Sequence, residues 1–436
     1  MPTNTESAMQ TEQWISWNSN ISHPYRRLGE IRQEEELTAF LGSSDSFRAF
    51  GTSQSSADIC AGTEDLADMS SYARIVSIDR RRMQIRAQSG ILLRDLILAG
   101  EKEGWSLPCL PDNDAITLGG AISTGTHGTT GGAHPLGEYM VSCSLADAEG
   151  NLREVGSDDP LMPALRCSLG LLGVLSEITM QFEPLRRLHI SEEAVKDEVW
   201  MREWPGWLEE NYFLRMLYIP HSGHAWVIRG NPVEDGAQPP QIDPPSFVRH
   251  RREWSRRLYG IGHPAATRMS NRILRRLFFS HRSSSTGSLY QATVTKKRSS
   301  TLELAEWTIG QDRFNEVFSR FTGDLKADRK AYAHIPMDIR FLKSDGSWLS
   351  NAYHRDIVTV GCVTRDPRRA DEYRAFDIIE RAFLSAGGRP HWAKRFAAGR
   401  DEISGLYEKF DDFIELRRKM DPRGKFLNAY LRELFA

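Results

Sequence analysis

The stretch RAFGTSQSSADI, Arg48–Ile59, decides how the first half of the chain is read. An extended segment, FRAFG (47–51), runs into a turn of small residues around Gly51, with a hydroxyl or amide at nearly every step. Such a turn lets backbone N–H groups approach a polar ligand, a diphosphate above all. A second run, LPDNDAITLGGAISTGTHGTTGG (110–132), carries six glycines and many small hydroxyl residues. Either run alone has a plain alternative as a surface loop. Two of them, flanking a hairpin and a helix, point to one shared ligand.

The segments around these turns set the fold class. IVSIDRRRMQIRAQSG (75–90) alternates apolar and polar residues and predicts a β-hairpin. LLRDLILAGEKEG (92–104) predicts a helix closed by Gly104. MVSCSLADAEGNLREV (140–155) predicts a second hairpin turning at its EGN, and SLGLLGVLSEITMQFEPL (168–185) a Gly-rich turn entering a strand. Hairpins in place of strict βαβ alternation predict an α+β protein. No GxGxxG follows a strand, so the usual dinucleotide fingerprint is missing.

The chain has 436 residues, too many for one core, and two domains are expected, 15–185 and 186–436. In the second, strands are expected around Trp200, Trp204 and Trp207, then a Pro-rich loop at 230–246. Residues 249–298 hold eleven Arg and two Lys against one Glu, and RMSNRILRRLFF (268–279) predicts a basic amphipathic helix. IPMDIRFL (335–342) and DIVTVGCVT (356–364) alternate like strands, while 368–388 and 402–420 predict helices. A net charge of −2 argues against a general polyanion binder. Five cysteines, an odd count with no CxxC pair, imply reduced thiols and a cytoplasmic location. The N-terminal residues lack a basic and an apolar region of secretory type, and no transmembrane helix is expected.

GTSQSS and GGAISTGTHGTT resemble the two flavin-contacting loops of the vanillyl-alcohol-oxidase type FAD fold. WISWNSN (14–20) is similar to the aromatic opening of its sugar-1,4-lactone and alditol oxidase branch, and LGLLGVLSEITM (169–180) to the third flavin segment. RPHWAK (389–394) resembles that branch's signature, DPRGKFLNAYLREL (421–434) its closing motif, and PMDIRF (336–341) the place where it carries an acidic residue, a spacer and an arginine. The resemblance covers about 15–185 and 330–436; the basic middle lies outside it.

The resemblance implies a two-part FAD-binding domain and an α+β substrate (cap) domain, whose C-terminal segment 389–436 returns to the flavin. FAD is then expected against Gly51, Thr52, Ser53, Gln54, Ser55 and Ser56; against Asp112, Thr117, Gly119, Gly120, Ser123, Thr124, Gly125, Thr126 and His127; and against Gly173, Val174 and Ile178. Many members have the form GxGHS in the first loop, with the histidine joined covalently to the flavin. Gln54 stands there and cannot form that bond, so FAD is expected to be bound non-covalently. Loss of the tether lowers the flavin potential and favours an easier oxidation or an acceptor other than oxygen. His127 is a weaker tether candidate, with a structural place in the loop as its alternative.

Oxidising an alcohol carbon needs a hydride acceptor, a proton acceptor and stabilisation of the developing alkoxide. The resemblance assigns the last to Arg340 and Lys394. His391, three residues before Lys394, is the expected base. Asp338 and Arg340, two apart on a strand, share a face: Asp338 either grips substrate or holds the arginine in an ion pair. Related enzymes more often have Glu there, and the shorter acid suggests a different or larger substrate.

The expected function is FAD-dependent oxidation of a carbinol carbon of a polyol, sugar or sugar lactone, with oxygen or another acceptor reoxidising the flavin and no metal. Two alternatives stay open. One is a tailoring oxidase acting on a glycosylated or carrier-bound intermediate; the other is a binding protein that kept the fold without turnover. For 249–298 the choices are a solvated cap surface, a peripheral membrane anchor through Ile273, Leu274, Leu277, Phe278 and Phe279, or a docking face for an acidic partner. Nucleic acid is disfavoured, since no recognised binding module accompanies the charge.

Overall fold

Alternation along the hairpins builds the first sheet. In the computed structural model, which describes residues 12–130, 132–233, 263–280, 282–293, 303–333, 337–364 and 373–436, five antiparallel strands lie side by side. Their order is Leu152–Gly156, Met140–Ala146, Val174–Gln181, Gln84–Gln88, Ile75–Asp79. Both expected hairpins are present as its two edges. The helix Leu93–Lys102 buries Leu93, Leu96, Ile97 and Gly100 on one side, the three-and-four spacing read from sequence. A smaller sheet pairs Arg27–Glu30, Asp65–Asp68 and Phe47–Phe50 in parallel. Hairpin logic did not foresee this parallel pairing; the helix Glu34–Gly42 lies in the crossover between the first and third of these strands.

Among the described residues the second sheet has eight strands, all antiparallel: Ser283–Ser288, Arg187–Lys196, His224–Pro232, Phe213–Ile219, Met337–Leu342, Ile357–Thr364, Glu303–Gly310 and Arg389–Pro390. One face packs on helices through Trp200, Trp307, Phe314, Phe318, Phe321, Ile339 and Phe383. The opposite face, offset by one residue along each strand, carries Arg215, Asp338, Arg340 and Glu306. One side is therefore apolar throughout, and the other sets these charges beside apolar residues such as Phe213, Leu217 and Trp226.

Four expectations need correction. Trp200, Trp204 and Trp207 lie on a helix, Asp197–Glu210, and not on strands. Their spacing of four and three is a helical stripe, and it outweighs the β-preference of tryptophan. The helix expected over 402–420 is two helices, Arg400–Ser404 and Phe410–Met420. The break around Gly405 lets Tyr407 turn inward and stack on Trp392, with ring centroids 5.1 Å apart. The helix expected over 368–388 runs over Arg374–Leu384, and 368–372 lie outside the described residues. In the basic stretch the expected helix is present as Pro264–Phe278, but Leu274 and Phe279 are buried and cannot face a bilayer. The Phe278 side chain lies outside what is described.

The C-terminal segment packs into the core of the first domain. Phe426, Leu431 and Phe435 share one apolar cluster with Leu37, Ile85 and Ile122. Phe47 N–H donates to Lys425 O, Lys425 Nζ donates to Leu41 O at 3.0 Å, and Asn428 Nδ2 donates to Asp58 O and Ala61 O.

Candidate active site

The two small-residue loops touch each other. A Cβ on Gly51 would lie 2.2 Å from Thr117 Oγ1, so only glycine permits the approach. Thr52 Oγ1 donates to Ala115 O (2.8 Å), and Asn113 Nδ2 donates to Gln54 Oε1 (3.3 Å). The third segment closes in through Gly173, whose φ of +132° and 2.5 Å approach to Ala146 O exclude a side chain. Arg48 ties these pieces together. Its buried guanidinium donates to Ile59 O, Leu169 O and Phe426 O and reaches Gly170 O at 3.5 Å. Burial pushes its pKa down to about 10, which leaves it a cation at neutral pH.

Between the loops and the ionic face of the large sheet lies a cavity of about 1320 Å³, counting its open mouth. Its wall brings together Gly51, Thr52, Ser53, Gln54 and Ser55 with Asp112, Thr117, Gly119, Gly120, Ser123, Thr124, Thr126 and His127. Gly173, Val174, Arg340, His391 and Lys394 complete it. Four expected site residues are placed elsewhere. Ile178 is wholly buried in the core, and Gly125 turns behind the loop at φ +66° against Cys167 Sγ. Ser56 lies beneath the wall, its N–H on Ala393 O. Asp338 is hidden among arginines.

Asp338 accepts from Arg215 Nε (2.9 Å) and NH2 (2.6 Å) and from Arg340 Nε (3.0 Å) and NH2 (2.5 Å). Asp112, from the loop side, lies 3.2 Å from Arg340 and 3.6 Å from Arg215. Burial would raise the Asp338 carboxyl, but the two guanidiniums outweigh it and hold the group below the usual carboxylate range. Burial would likewise lower Arg340, and Asp338, Asp112 and Glu306 raise it instead. Of the two roles open to Asp338, holding the arginine is the one the geometry fills. Arg215 had no signal in the sequence beyond being a charge within an apolar strand, FLRMLYI.

The residues His391–Lys394 are pinned from several sides. His391 N–H donates to Glu306 O (2.9 Å), Trp392 Nε1 to Leu349 O (2.7 Å), and Lys394 N–H to His391 O (2.9 Å). His391 Nδ1 accepts the Ala393 N–H at 3.1 Å, which leaves the ring proton on Nε2. Burial pushes its pKa down to about 3; Glu306 opposes that, while His127, Lys394 and Arg340 add to it. A neutral ring whose acceptor nitrogen is already engaged does not fit the expected role of base.

Glu306 went unnoticed in the sequence, where only its place among apolar residues of ELAEWTIG marks it. It lines the cavity, and its Oε1 lies 2.9 Å from His127 Nε2, in contact but off the hydrogen-bond line. His127 Nδ1 faces Gly128 O at 3.2 Å. Burial would raise Glu306; the His127 ring holds it well below the usual range instead, and Arg340 adds to this. The ligand atoms of His127, Glu306 and His391 lie within 4.8 Å of one another, a donor set of metal type. Arg340 and Lys394 share the cavity and oppose a further cation there.

A paired-loop cradle set against an ionic sheet face fits a flavin-dependent oxidoreductase, and comparison with known proteins shows that class. An FAD binding domain model matches residues 37–156, and the model described as D-arabinono-1,4-lactone oxidase matches residues 178–434, more than half of the chain. The chain belongs to the D-arabinono-1,4-lactone oxidase family and is an FAD-dependent enzyme acting on CH–OH groups. It is 27% identical to L-gulonolactone oxidase of Mus musculus over 94% of this chain and 93% of the relative. It is 26% identical to L-gulono-1,4-lactone dehydrogenase of Mycobacterium tuberculosis, over 97% and 98%. A solved structure of cholesterol oxidase from Brevibacterium sterolicum superposes with a TM-score of 0.80 at 15% identity, covering both chains fully, and so shares the fold.

Proposed function

We propose that the chain oxidises a carbinol carbon of a sugar-1,4-lactone, with FAD held non-covalently in the paired-loop cradle. The observation that carries this reading is the single cavity in which both loops meet Arg340 and Lys394. Relatives named as lactone oxidases and dehydrogenases over nearly the whole chain favour the lactone. Gln54 on the cavity wall offers an amide where a tether would need an imidazole.

When bound, FAD supplies the hydride acceptor. Arg340, fixed by Asp338 and Asp112, cannot swing away and presents a permanent cation to the substrate oxygen. Lys394 adds a second charge from a backbone anchored by Trp392. The Asp338–Arg215 pairing leaves the acid little part in substrate choice, which removes the reason to expect an enlarged substrate. Anaerobic mixing with a panel of aldonolactones, polyols and glycosides tests the reading: lactones are expected to bleach the flavin, and bleaching by glycosides alone would overturn it.

A narrower reading concerns the helix Pro264–Phe278. Met269, Ile273 and Leu277 are exposed at 58%, 41% and 64%, one every four residues, beside the exposed Arg272 and Arg276. An apolar stripe flanked by arginines suits the surface of an anionic bilayer. No helix among the described residues is long and apolar enough to cross one. The protein is expected to sediment with anionic vesicles and to lose this with Leu277→Glu; failure to sediment at low salt would end this reading.

A further inference from the structure

One ionised group on the cavity wall has no task in the scheme above. Glu306 stands opposite Gly361, and Gly361 in turn stands opposite Asp338. A Cβ at 361 would fall between them, 3.7 Å from Asp338 Cβ and 3.8 Å from Glu306 Cδ. Two carboxylates thus share one sheet face with a gap between them, and their surroundings differ. Asp338 takes four hydrogen bonds from two guanidiniums, whereas Glu306 has its Oε1 2.9 Å from His127 Nε2 and borders the cavity.

We propose that Glu306 is the acceptor of the substrate's hydroxyl proton, a role that rests on the carbinol oxidation proposed above. As the C–H bond gives up its hydrogen with both electrons to the bound flavin, the O–H bond breaks, the proton passes to a Glu306 carboxylate oxygen, and the carbon–oxygen bond becomes a carbonyl. The substrate loses two electrons, the flavin is the oxidant, and the proton stays on the protein. Charge also balances within the cavity. Glu306 loses a negative charge while the hydride brings one to the cofactor, so Arg340 and Lys394 face the same total before and after.

The other groups facing this point are less fit for the role. His391 Nδ1 holds the Ala393 N–H, His127 has Nδ1 at a carbonyl and Nε2 in contact with Glu306 itself, and Arg340 and Lys394 are cations. Asp338 and Asp112 are paired with Arg340 and Arg215. Behind the strand, burial pushes the Cys362 thiol far up, with Glu306 adding to it, so it stays protonated. A carboxylate kept ionised by its neighbours is a modest base at rest. The hydroxyl becomes strongly acidic once hydride transfer is under way, and a modest base then suffices.

The test compares Glu306→Gln and Glu306→Asp with wild type, using L-gulono-1,4-lactone as the probe. Both variants are expected to hold FAD with a wild-type visible spectrum. Anaerobic flavin reduction is expected to slow about 100-fold or more in Glu306→Gln, with a rate that now rises with pH as hydroxide takes over. Glu306→Asp is expected to recover about tenfold of that loss. Infrared difference spectra of wild type on lactone reduction should show a new protonated-carboxyl band, missing in Glu306→Gln. A wild-type rate in Glu306→Gln, or a slow rate with an unchanged pH profile and the band retained, overturns the proposal. If Glu306→Gln fails to hold FAD, Glu306→Asp and the wild-type band decide. If a polyol bleaches the wild type and the lactone does not, the substrate reading falls and the same variants test Glu306 with that polyol; bleaching by no carbinol brings down both.

Discussion

Two side chains at the cavity wall control separate properties. Gln54 is held by the second loop through Asn113, and it bears on how the cofactor is attached. Acid precipitation of the wild type is expected to leave the yellow colour in the supernatant, and Gln54→His to retain part of it in the pellet. Lys394 bears on turnover: Lys394→Ala is expected to keep FAD and lose about 100-fold or more in the rate of flavin bleaching, since one fixed cation at a developing alkoxide is worth about 3 kcal/mol. At this scale the sequence was informative where spacing carries chemistry. The loop glycines, Arg340 and Lys394 all announce themselves within short motifs. Glu306 and Arg215 do not, because each is one charge in an otherwise apolar strand and gains meaning only from neighbours more than thirty residues away across the sheet.

Among elements, the strand Met337–Leu342 depends most on its charges. Asp338→Asn would leave Arg215 and Arg340 buried without their acceptor, a loss of about 3–5 kcal/mol, and a clear fall in melting temperature is expected. The pH dependence has a definite sign. Because the folded carboxyl titrates below its ordinary value near 3.8, its contribution is complete above that value and disappears as pH falls through the lower folded one. Melting curves of wild type and variant should therefore converge in acid and stay apart at neutral pH. Element types followed from periodicity wherever one face was apolar. The reading failed at Trp200–Trp207, where strands were expected over a helical spacing of four and three, and at Gly405, where a continuous helical pattern hides a break that brings Tyr407 against Trp392.

For the molecule as a whole, Arg48 is the keystone. Among the described residues it has no carboxylate acceptor, and it spends its donors on the carbonyls of three distant segments. Arg48→Met is expected to weaken FAD affinity about tenfold or more and to lower stability by about 3 kcal/mol, read by flavin fluorescence on dilution and by thermal melting. Retained affinity would show that the loops hold their shape without it. Length led to the expectation of two domains, while one apolar cluster runs through residues of both, from Ile85 to Trp226. That residues 421–435 rejoin the first core was readable only through family resemblance, since nothing local in DPRGKF says where it docks.

That return has a bearing on biogenesis. The contact between Arg48 and Phe426 joins positions 378 apart, so the nucleotide cradle is still open when most of the polypeptide has left the ribosome. Cofactor loading is then expected after synthesis, and a chain cut short before Phe426 is expected to emerge colourless however well its earlier parts had folded.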